Sequence, residues 1–84
     1  MITKIVKFGS PTCGPCKVVD KVLAQVEIPV QYVDATQEDE LVYKYGVGQV
    51  PTLFFMNEDK ILHKHVGIIS STEIAMLVEE YANN

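Results

Sequence analysis

The chain has 84 residues, seven lysines, no arginine and eleven acidic residues, for a formal charge of −4. Hydrophobic residues make up 48% and charged residues 21%, ordinary for a globular domain and too apolar for a disordered one. One domain is expected over residues 1–84. At this size about 60–65% of the unfolded chain's surface is buried, so a single core must do nearly all the stabilising.

Ile2–Phe8 is β-branched and alternates, the pattern of a strand, and it ends at the turn cluster Gly9-Ser10-Pro11. From Cys16 to Val26 the apolar residues Val19, Val22, Leu23 and Val26 fall on one helical face, with Lys17, Asp20 and Lys21 on the outer face. Pro15 fits the first helical turn, which has no intrahelical use for that N–H. Pro29 closes the connection, and Val30–Asp34 reads as a second strand. Thr36 with Asp39 resembles a capping box opening a helix to about Tyr45, and Gly46 suits the position after its end. Thr52–Met56 and Lys60–Val66 form a hairpin around Asn57-Glu58-Asp59. Ser70 and Glu73 make a second capping box before the stripe Ile74, Leu77, Val78 and Tyr81.

The order is β-α-β-α-β-β-α. A strand–helix–strand opening implies a parallel pair joined by a right-handed crossover, and the hairpin adds antiparallel strands. An α/β fold is therefore expected, a four-stranded mixed sheet with helices on both faces. The longest apolar runs, such as Leu53–Met56, fall far short of the roughly 20 residues that span a bilayer. The opening Met1-Ile2-Thr3-Lys4-Ile5 lacks the features of a secretory signal, so a cytoplasmic location is expected. The acidic balance and the absence of arginine argue against nucleic acid as a partner.

Charge is unevenly spread. Residues 1–19 carry Lys4, Lys7 and Lys17 without a carboxylate, and the rest carries four lysines against eleven acids. Both cysteines, Cys13 and Cys16, lie in the positive segment, as Cys13-Gly14-Pro15-Cys16 between a strand and a helix. Residues three apart in a first helical turn face each other at about 5–6 Å, the Cα separation a disulfide needs. The helix N-terminus favours a thiolate at Cys13, and Lys17 pushes the same way. Cys16, more buried, is placed to resolve a mixed disulfide. Competing readings are weaker. Zinc would want four ligands, and His63 and His65 read as solvated residues sharing one face of an edge strand. A purely structural disulfide would close too short a loop to stabilise much.

Cys13-Gly14-Pro15-Cys16-Lys17 after the Lys4–Phe8 strand resembles the active site of thioredoxins. Tyr45-Gly46-Val47-Gly48-Gln49-Val50-Pro51-Thr52 and Val66-Gly67 agree with the family's second half, so the resemblance runs from about Ile5 to Tyr81. It implies the minimal thioredoxin fold and a protein-disulfide reductase, with Cys13 as nucleophile and Cys16 as resolving thiol. It further implies a cis Pro51 against the disulfide, and a Val50 backbone that pairs with a substrate peptide. Gly67 would leave the groove open, and Thr12, Gly14 and Pro15 would complete the substrate-binding surface. No bound cofactor or metal is implied beyond the Cys13–Cys16 disulfide itself. Electrons would come from NADPH through a thioredoxin reductase, the partners would be disulfide-containing proteins, and the protein would act as a monomer.

The sequence departs from the family at three places. Thr12 replaces the usual Trp before the first cysteine, and Lys7 stands where thioredoxins bury an Asp. Lys7 either approaches the sulfurs and favours thiolates, or snorkels to solvent. An N-terminal strand and helix are also expected to be absent, a size closer to glutaredoxins. Glutaredoxins are the alternative, reduced by glutathione. Their Gly-Gly pair and acidic helix start are not matched by Gly67-Ile68-Ile69-Ser70. A redox-inert binding subunit on the same fold is the third reading.

Overall fold

The computed structural model describes residues 1–82. The elements follow as β1 (Lys4–Gly9), α1 (Gly14–Leu23), β2 (Val30–Asp34), α2 (Asp39–Tyr45), β3 (Thr52–Asn57), β4 (Lys60–Val66) and α3 (Ser71–Glu80). The strands form one sheet in the order β2-β1-β3-β4. Strand β1 runs parallel to β2 and antiparallel to β3, and β3 and β4 form the hairpin. The mixed sheet and the order of elements are those expected, and they constitute the minimal thioredoxin fold.

Alternation along β1 and β3 builds two cores. Ile5, Leu53 and Phe55 meet Val19 and Leu23 of α1 and Ile74 of α3 on one face. Val6, Phe8, Phe54 and Met56 meet Leu41, Val42 and Tyr45 of α2 on the other. Phe8, Tyr45 and Phe54 form a ring cluster with centroids 5.0–5.7 Å apart, a spacing at which tilted aromatic pairs attract beyond their buried area.

Three local expectations are corrected. Helix α1 starts at Gly14 rather than Cys16, because Cys13 caps it and Pro15 fits its first turn. It ends at Leu23, and Gln25 and Val26 bond back to Val22 and Leu23 in tight turns that keep Val26 on the core. Thr36 does not cap α2. Asp34 Oδ1 accepts from both the Thr36 amide (2.9 Å) and its hydroxyl (2.6 Å), so the Thr36 side chain is spent locally and Glu38 precedes the helix without a side-chain cap. The Ser70 cap does form, with the Glu73 amide donating to Ser70 Oγ at 3.1 Å. His63 and His65 are half-buried rather than solvated: His63 packs between Phe55 and Tyr81, and His65 Nε2 lies 2.9 Å from the Ile68 carbonyl.

Candidate active site at the end of the sheet

Strand register gathers the predicted residues at one end of the sheet. Phe8 near the end of β1 pairs with Thr52 at the start of β3, and Thr52 pairs with Val66 at the end of β4. The cysteine loop after β1, Val50-Pro51 before β3 and Gly67 after β4 are thereby brought to the same rim.

Cys13 and Cys16 are joined in a disulfide, with Cα atoms 5.2 Å apart. Cys13 occupies the N-cap of α1, and its Sγ accepts from the Cys16 amide at 3.1 Å. No acidic residue stands in the first turn of α1. The two sulfurs differ in access: Cys13 is half-exposed and Cys16 is 1% exposed. Thr12, Gly14, Pro15 and Lys17 are all exposed around them.

The Val50–Pro51 peptide is cis, and Pro51 is buried. The Pro51 carbonyl accepts from the Gly67 amide at 2.9 Å, and the Thr52 hydroxyl donates to the Gln49 carbonyl at 2.6 Å. Those bonds hold the loop on both sides of Val50, whose own N–H and C=O have no partner among the described residues. Gly67 has φ +97°, and a Cβ built there would meet nothing within 4 Å. The glycine is favoured by its backbone conformation, since a side chain there would have space but an unfavourable φ.

Lys7 does not snorkel. Its residue is 5% exposed, and its Nζ lies 2.7 Å from Asp20 Oδ1. That oxygen is shielded from solvent and has no aligned hydrogen bond, so the contact is an ion pair without directional bonding. The Lys7 ammonium also sits 5.9 Å from the Tyr32 ring centroid. Burial, and secondarily the Asp20 charge, push the Tyr32 phenol above its ordinary pKa. Asp20, expected on the outer face of α1, instead turns toward the sheet. The departure of Lys7 from the family pattern was visible in the sequence; its counter-charge was not. The signal lay in Asp20 standing one helical turn after Cys16, on the same face.

Gly9 explains how Lys7 reaches this position. A Cβ on Gly9 would collide with Lys7 Nζ and would come within 3.3 Å of Cys16 Sγ. The ammonium and the buried sulfur therefore flank the same small volume over Gly9. A cleft of about 260 Å³, lined by Lys7, Asp20, Tyr32 and Asp34 among others, opens beside it. Asp34 is held below the usual carboxylate range by its bonds to the Thr36 side chain and backbone. Among the described residues, no cluster of three or more His, Cys, Asp or Glu is arranged to hold a metal, and no helix is long and apolar enough to cross a membrane.

A disulfide-bonded cysteine pair at a helix N-terminus, at the same end of the sheet as a cis proline, defines on this fold the class of thioredoxin-fold proteins with a redox-capable dithiol. The family profile described as thioredoxin matches residues 2–80, and the chain belongs to the thioredoxin family. It is similar to the SPbeta prophage-derived thioredoxin-like protein YosR of Bacillus subtilis, at 35% identity over 92% of this chain and 96% of that one. It also resembles the thioredoxin of the same species, at 28% identity over 88% of this chain and 77% of that one. A solved thioredoxin variant from Halobacterium salinarum superposes with a TM-score of 0.80 at 27% identity, covering 96% of this chain and 75% of its own. These relatives imply oxidoreductase activity, with the cysteine pair as the redox centre.

Proposed function

We propose that the protein reduces protein disulfides by dithiol exchange, as one domain over residues 1–84. The Cys13 thiolate attacks a substrate disulfide, forming a mixed disulfide and expelling the first substrate thiolate. Cys16 then loses its proton and attacks Cys13 Sγ. The Cys13–Cys16 disulfide forms, the mixed disulfide breaks, and the second substrate sulfur leaves as thiolate. Two electrons from a thioredoxin reductase, supplied by NADPH, restore the dithiol.

The observation that carries this reading is the unequal access of two bonded sulfurs at a helix N-terminus, Cys13 half-exposed and Cys16 buried. The first can meet a substrate; the second can attack only what is attached to the first. In the reduced protein the Cys16 amide that reaches Cys13 Sγ would donate to its thiolate, and hydrogen bonding to the charged form lowers a pKa. The unpartnered N–H and C=O of Val50 favour an extended substrate segment lying against the loop. Thr12, Gly14, Pro15, Pro51 and Gly67 are taken as the remaining contact surface. Lys17 and Lys7 add positive charge that favours thiolates. The reading takes the protein to work as a monomer in the cytoplasm.

The test is reduction of insulin with two electron supplies, NADPH with thioredoxin reductase, and NADPH with glutathione and its reductase. Turnover with the first alone is the expected result. Turnover only with glutathione would make the protein glutaredoxin-like. Failure with both and with dithiothreitol would leave a binding subunit without redox activity.

A further inference from the structure

We propose that Asp20, acting through Lys7, sets the proton affinity of the buried Cys16 thiol. The inference rests on the reading of Cys13 and Cys16 as a cycling dithiol and assigns a positioning residue to it. The Lys7 ammonium and Cys16 Sγ border the same point above Gly9, the sulfur at 3.3 Å from it. Both residues are screened from water, Lys7 at 5% and Cys16 at 1% exposure. A cation beside a thiol in such a place favours the thiolate and lowers the thiol's proton affinity. Asp20 Oδ1, 2.7 Å from Nζ, supplies the opposing charge.

The surrounding groups leave Asp20 as the one that matters. On β1 the charged neighbour is Lys7 itself. On α1 they are Asp20 and Lys17, the latter exposed to solvent, with Cys13 at the N-cap. On β2 they are Tyr32, whose ring centre is 5.9 Å from Nζ, and Asp34, whose carboxylate is engaged by Thr36. The Lys7–Asp20 contact is the one ion pair among the described residues. The Asp20 side chain is 43% exposed overall while Oδ1 is shielded, so the carboxylate spans from the cleft to the buried ammonium.

The consequence falls on resolution of the mixed disulfide. Cys16 must release its thiol proton to solvent before its sulfur attacks Cys13, and the departing substrate thiolate takes up a proton from water. The more of the Lys7 charge the sulfur feels, the more readily the proton leaves. Asp20 tempers that charge. A carboxylate carried on the helix and a cation on the strand thus reverse the arrangement that the family resemblance implied for position 7.

The test titrates Cys16 by thiolate absorbance in a Cys13→Ser background, where it is the sole thiol. Asp20→Asn exposes the sulfur to the full ammonium charge and lowers the midpoint by about one pH unit, whereas Lys7→Met leaves the carboxylate alone and raises it by about as much. The double variant falls between the two, and Asp20→Glu stays close to the parent. Asp20→Asn with an unchanged midpoint, or both single variants shifting it the same way, would overturn the proposal. Should Lys7→Met fail to fold, Asp20→Asn against Asp20→Glu decides alone, since that side chain is half-exposed. The titration needs no substrate, so loss of reductase activity would count against the proposed function while leaving this result readable.

Discussion

The amide of Gly67 donates to the carbonyl of Pro51 across 2.9 Å, tying the end of β4 to the loop before β3. This bond holds the two walls of the proposed groove together, and it forms with Gly67 at φ +97°. A side chain there has open space but the wrong backbone conformation. Gly67→Ala is therefore expected to destabilise the protein by about 1–3 kcal/mol in urea unfolding, the range for a non-glycine residue forced into such a region. Insulin reduction should fall more than stability alone accounts for, because the Val50 loop loses its anchor. Unchanged stability would mean the backbone relaxes to a negative φ at no cost.

Gly9 is a glycine for a different reason. Its φ is unremarkable for any residue, but Lys7 lies across it. The colliding atom is the far end of a flexible side chain, so Gly9→Ala should fold with a stability change within about 1 kcal/mol. The Lys7 ammonium must nevertheless move off the volume it shares with Cys16 Sγ. Thiolate titration of Cys16 should then shift upward, in the direction of Lys7→Met. A folded Gly9→Ala protein with the parental titration would show that the ammonium does not act on the sulfur.

Asp34 and Thr36 offer a pH-dependent contrast. The two Thr36 bonds favour the ionised carboxylate, so Asp34 titrates below its ordinary range in the folded protein. A depressed folded pKa adds stability above the ordinary carboxylate range, and that contribution is lost as pH falls through the lowered value. Thr36→Ala removes the hydroxyl bond, the larger cause, and retains the amide bond. Carboxyl chemical shifts should show Asp34 titrating at higher pH in this variant, still below an unperturbed Asp. An unchanged Asp34 curve would contradict the assignment.

Much of this arrangement is legible in the sequence alone. The seven elements follow from turn clusters, periodicity and alternation, and alternation along β1 places Lys7 on the face of Ile5, which α1 covers, opposite Val6 and Phe8. The cysteine spacing, read with the strand before it and the helix after it, located the redox centre. What escaped were pairings chosen among competitors. Thr36 had two partners within reach, the α2 amides and the Asp34 carboxylate, and the nearer carboxylate won. Asp20 sits at the margin of the polar face of α1, one turn after the buried Cys16, and its partner is a cation on β1. His63 read as polar on an edge strand, yet Tyr81 just beyond α3 closes over it. The Asp20 and His63 pairings are contacts between segments, which a local period cannot choose, and the Thr36 pairing is a competition settled within two residues.

The proposed dithiol exchange requires that Cys13 alone makes the first bond to substrate and that Cys16 resolves it. The most direct measurement incubates reduced Cys16→Ser protein with an insulin-type disulfide substrate and resolves the products by mass. A stable one-to-one adduct is expected, joined through Cys13 and released by dithiothreitol, with no comparable adduct from Cys13→Ser. Equal trapping by both variants, or an adduct carried by Cys16, would contradict it.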